Sequence, residues 1–254
     1  MTAGAFPIDG ASRRAILILS EHDYEKCSYT MDAGKTLLDQ ETYVLEYPLP
    51  NVDERHTALR NIEDSGLLRP GVILVQSPYD ANTYEDALEA PHRFALVKHM
   101  YFSQLCKHLG ATEVEVKQIS VVKGHTTHSL QVDGKHEEVG AGVSAERKDL
   151  SKLKSQMHLH DKFSGAPADL VTAEKFLREV RLWSDVTLRT LLEMRRDGAN
   201  VMRERTLTLN LSSEAKSNIG IAARINVPSV SLSADYRSET AQQQEYQLTV
   251  NVKF

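Results

Sequence analysis

The chain has 254 residues, 41% of them apolar and 26% charged, with a net charge of −5; such a composition belongs to a folded globular protein with a sizeable core. The acidic balance argues against a general nucleic-acid binder, which carries a basic face or stripe, and no run approaches the ~18 apolar residues of a membrane-spanning helix. Residues 1–110 carry 10 Lys and Arg against 16 Asp and Glu, while residues 111–254 carry 20 against 19, an asymmetry that points to two halves of different character.

Near the start, Ala15 to Leu19 (AILIL) follows two arginines. It is shorter than the apolar core of a secretory signal, roughly 7–15 residues, and reads instead as a buried strand. A helix-like stretch, Tyr24 to Gln40, comes next, then a strand over 42–47 (TYVLEY) closed by Pro48 and Pro50. Asp53 to Ser65 reads as a second helix stopped by Gly66. GVILVQ (71–76) is a third strand followed by turn residues. Thr83 to Leu109 reads as helix, with Pro91 starting a new one and Gly110 capping its end. TEVEVKQISVV (112–122) supplies a fourth strand. This alternation predicts a small, mostly parallel sheet with helices on its faces.

Beyond residue 122 the rhythm changes to apolar and polar residues in alternation, the pattern of a sheet with one wet face. Strands are predicted at 139–145, 153–163, 205–211, 219–227, 230–236 and 246–254. One long amphipathic helix, about Ala168 to Arg196, is marked by Phe176, Val180, Trp183, Leu191 and Met194. The alternation slips by one residue at Pro228, where the chain must turn or bulge. The expected class is α+β: an α/β domain over 1–122, and an antiparallel sheet with one long helix over 123–254.

Two groups of residues could carry chemistry. In open α/β sheets, ligands bind beyond the carboxyl ends of the strands, which places Glu21, His22 and Asp23 after the first strand and Asp80 after the third. A histidine between carboxylates suits general acid–base work; the same residues also suit helix caps and turns. In the second half, His158 and His160 fall on one face if 153–163 is a strand. Asp161 lies beside them, and His125 or His128 comes from the neighbouring strand. Imidazole and carboxylate groups converging at ~2.0–2.3 Å would hold a divalent metal, although Lys152, Lys154 and Lys162 on the same face oppose a cation. Asp32-Ala33-Gly34-Lys35-Thr36 lacks the upstream glycine of a phosphate loop, and neither GxGxxG nor GxSxG occurs.

Cys27 and Cys106 form no CxxC pair, which suits a reducing compartment and a cytoplasmic location. The expected function is non-catalytic binding of a ligand or partner, with self-association through the C-terminal sheet, whose last strand offers an edge. A hydrolase or nucleotide-processing enzyme acting at the N-terminal crevice is the alternative. A membrane-active protein using amphipathic strands is a lesser one.

Overall fold

The computed structural model describes residues 6–32, 40–49, 56–123, 126–132, 145–196, 201–225 and 244–254. Residues 139–144 of the strand predicted at 139–145, the strand predicted at 230–236, and His125 lie outside the described residues, and Ala145 begins a helix. The class is α+β, with a four-stranded mixed sheet and a five-stranded antiparallel sheet. The chain divides into two units, Met1–Arg93 with Glu214–Gln243, and Phe94–Ser213 with Gln244–Phe254.

In the first unit, β1 (Ala15–Ser20), β2 (Thr42–Tyr47), β3 (Ile73–Gln76) and β4 (Tyr84–Asp86) lie in the order β2-β1-β3-β4. Helices α1 (Glu21–Asp32) and α2 (Thr57–Asp64) separate the first three strands. β1 and β2 are parallel, as expected from the intervening helix. β3, however, runs antiparallel to β1, and β4 antiparallel to β3. The expectation of a mostly parallel sheet therefore holds for one pair of strands. The reason is the return path: after α2 the chain turns at Gly66 and Gly71, both at positive φ, and enters the sheet from the opposite end.

AILIL is apolar throughout because both of its faces are covered. Ile16 and Ile18 join Leu45, Ala58, Leu59, Ile62, Leu74 and Tyr84 in one core, while Leu17, Leu19, Ile73 and Val75 are equally buried. Arg13 is 1% exposed. Its guanidinium donates to Pro7 O, Ala81 O, Asn82 Oδ1 and Tyr84 Oη and lies over the Phe6 ring, so a buried charge is satisfied by neutral acceptors.

The second unit contains α3 (Ala90–His108, from Phe94 onward), β5 (Glu113–Lys123), β6 (Thr126–Gln131), α4 (Ala145–Gln156), β7 (His160–Lys162), α5 (Leu170–Glu179), α6 (Val186–Arg196), β8 (Glu204–Asn210) and, after an excursion into the first unit, β9 (Gln244–Lys253). The sheet order is β6-β5-β9-β8, with β7 also on β5. The stretch expected as a fourth strand of the first sheet is thus a central strand of the second. Its apolar phase shifts from Val114 and Val116 to Ile119 and Val121 because the pairing with β9 bulges between Val116 and Gln118. The last strand, expected at an edge, lies between β5 and β8.

Three further expectations are corrected here. Residues 153–163 are not one strand: α4 runs to Gln156, burying Leu150, Leu153 and Met157 at helical spacing, and β7 begins at His160. The helix expected over 168–196 is two helices, broken where Arg181 takes φ 58°. There Arg181 N donates to Arg178 O and Leu182 N to Leu177 O at 2.8 Å, a Schellman cap. Residues 219–223, expected in a strand over 219–227, belong to a helix, α7 (Lys216–Ala223), packed against β1 and β3, while residues 226–227 lie outside the described residues. Asn218, Ile221, Ala222 and Ile225 repeat at i, i+3, i+4 and i+7 and are buried. The Asn218 amide donates to Gln76 O at 2.9 Å.

Candidate functional site

At 100° per residue a helix can present two opposite stripes, and α3 does. Phe94, Lys98, Phe102, Leu105 and Leu109 form one and are buried. Leu96, His99, Met100, Ser103 and Lys107 form the other, which lines a cavity of about 530 Å³. The opposite wall is Gln156, Met157, His158, Asp161 and Phe163.

That wall is held by main-chain bonds. α4 closes with Met157 N donating to Leu153 O, and Val116 N then donates to Leu159 O at 2.8 Å. β7 pairs Val114 with Asp161 and Glu115 with His160, and Phe163 N donates to Thr112 O at 2.9 Å. Strand alternation does the rest: Asp161 faces the cavity, and His160 and Lys162 face the other way, both exposed.

Inside the cavity, Ser103 Oγ donates to Asp161 Oδ2 at 2.5 Å. His99 is 3% exposed, and its Nε2 has no hydrogen-bond partner among the described residues. Burial lowers its pKa from the ordinary 6.5 to about 4, against the opposing pull of Asp161, with the charge of His158 adding to the depression. The imidazole is therefore neutral at pH 7. Cys106 is fully buried, and burial pushes its thiol well above the usual range. Burial likewise raises the Cys27 thiol. Neither is a nucleophile in this setting.

The expected metal ligands do not converge. His158 and Asp161 line the cavity together. His160 points away and contacts Glu113 Oε1 at 2.6 Å, beside Lys253 Nζ at 2.6 Å from Glu113 Oε2. Those two bonds, that of Lys253 first, hold the Glu113 carboxyl near 2. His128 lies on β6, opposite Val121. Among the described residues no group of three or more His, Cys, Asp and Glu side chains is placed to hold a metal ion.

The expected acid–base residues are separated as well. Glu21, His22 and Asp23 follow the carboxyl end of β1, and Asp80 follows that of β3. Because these strands are antiparallel, the two ends lie on opposite sides of the sheet. Ser20 Oγ and Asp23 Oδ2 bond each other at 2.8 Å, and Ser20 Oγ accepts from Asp23 N. Asp80 accepts from Asn82 N and Thr83 Oγ1. These are cap and turn roles.

No family model, curated protein or solved structure matches the chain.

His99 and Ser103, two polar residues of the α3 stripe, were not among the sequence candidates. Their signal was the presence of Leu96 and Met100 on the side of the helix opposite its core stripe.

Proposed function

We propose that the chain is a non-catalytic binding protein for a small molecule that occupies the α3–β7 cavity. The observation that carries this reading is the cavity wall itself, where Leu96, Val97, Met100, Met157 and Phe163 accompany the hydrogen-bonded pair of Ser103 and Asp161. A volume of about 530 Å³ lies within the ordinary range of small-molecule sites, and so does a mostly apolar lining with a few convergent polar groups.

Binding is favoured over catalysis by the wiring of the polar groups. A serine nucleophile needs a base to take its proton. Ser103 donates to the half-buried carboxylate of Asp161, and among the described residues no hydrogen bond joins it to His99, so no histidine-activated serine is assembled here.

Native mass spectrometry of the purified protein, with a small-molecule thermal-shift screen, tests the proposal. Wild-type protein is expected to retain or select small ligands, and Leu96→Trp, which fills the cavity from α3, is expected to lose them while keeping its fold. Equal binding by the filled variant would remove the cavity from consideration.

A further inference from the structure

We infer that the ligand of this cavity is an organic amine: an apolar body carrying one ammonium group that pairs with Asp161. The inference rests on the binding role proposed above and adds the ligand's chemical class. Its basis is the state of the Asp161 carboxylate. Oδ2 accepts from Ser103, a neutral hydroxyl. Oδ1 takes no hydrogen bond among the described residues, and no Lys, Arg or His among them forms an ion pair with Asp161.

Asp161 is half-buried, and an ammonium brought by the ligand supplies a counter-charge in a charge-assisted hydrogen bond. The neighbouring groups favour the same sign. His99, kept neutral by burial, offers a lone pair or a single N–H and no positive charge of its own. The one lysine of the lining, Lys107, is exposed, and its long stem leaves the ammonium in water. His158 is also exposed. An ammonium has three donors and no acceptor, which suits the open oxygen of Asp161, a group that only accepts. Leu96, Met100, Met157 and Phe163 take the apolar remainder.

The probes are 4-phenylbutylamine, 4-phenylbutanol and 4-phenylbutyrate, which share a body and differ in the head group. Isothermal titration at pH 7.5 and low salt is expected to give the amine at least tenfold tighter binding than the alcohol, and the carboxylate weaker binding than either. Asp161→Asn keeps the shape and an acceptor for Ser103. It is expected to bring the amine down to the alcohol's affinity in the same variant.

If the alcohol binds and the amine gains nothing over it, or if the amine keeps its preference in the Asp161→Asn variant, the ligand class is wrong and the cavity stands. If none of the three binds the wild-type protein, the cavity reading falls and the amine falls with it. The wild-type comparison needs no variant, so a folding defect in Asp161→Asn cannot mask the result.

Discussion

Replacing His99 with leucine should remove an acid-sensitive component of stability. The unfolded chain protonates this imidazole at its ordinary 6.5, whereas burial holds it at about 4 in the folded state. Between those values the unfolded state binds the extra proton, so stability is full above about 6.5 and falls as the pH drops toward 4. Protonation linkage with these two values gives a loss of about 2 kcal/mol between pH 7.5 and pH 5, and about 3 kcal/mol once pH 4 is passed. His99→Leu carries no such proton and no orphaned nitrogen.

The assay is urea unfolding followed by tryptophan fluorescence. The chain has a single tryptophan, Trp183, and it lies in the same unit as His99. From pH 7.5 to pH 5 the wild-type protein is expected to lose about 2 kcal/mol more than the variant, with other titrating groups cancelling in the comparison. Equal losses would mean that the folded protein protonates His99 as freely as the unfolded chain does. The buried, neutral imidazole, and the site built around it, would then be wrong.

Lys98 is fully buried, with Nζ 2.7 Å from Asp185 Oδ2 and 3.1 Å from Ser213 Oγ. Lys98→Met strands the Asp185 charge and should cost about 3–5 kcal/mol in the same fluorescence assay. Adding Asp185→Asn, which retains the bond to Leu188 N, should recover more than half. A single-variant cost below about 1 kcal/mol would contradict the buried pair. Arg181 is exposed at φ 58°, so Arg181→Gly should raise stability by up to about 1 kcal/mol; a fall in the urea midpoint would refute the left-handed cap. Gly110 has φ 80°, and a Cβ there would lie 2.3 Å from Ala166 O. Gly110→Ala should therefore cost about 2 kcal/mol or more, measured as a lowered midpoint, and a neutral result would refute that close approach.

The α+β class was legible because the change of hydrophobic rhythm is real: AILIL is covered on both faces, and Leu207, Leu209, Tyr246, Leu248 and Val250 alternate into one core. What escaped the sequence has local causes. The direction of β3 depends on a turn that no alternation encodes. The break after α5 hides behind Arg181, since such caps usually announce themselves with glycine. IGIAA satisfies periods of 2 and of 3.6 alike, and the bond from Asn218 to Gln76 O, 142 positions away in sequence, helps fix the helical choice. The site was half visible: Asp161 and His158 stood out by composition. Their strand assignment then paired them with His160, which faces outward, and hid His99 and Ser103 on a helix.

The place of β9 has a consequence for how this chain reaches its native state. Its partners, β5 and β8, begin at residues 113 and 204, while β9 begins at 244. On a ribosome, both would emerge before the segment that joins them, so each would present an unsatisfied row of amides and carbonyls until residues 244–253 arrive. Folding of the second sheet therefore waits for β9, and a chain cut short before residue 244 would present two open, apolar-faced ribbons.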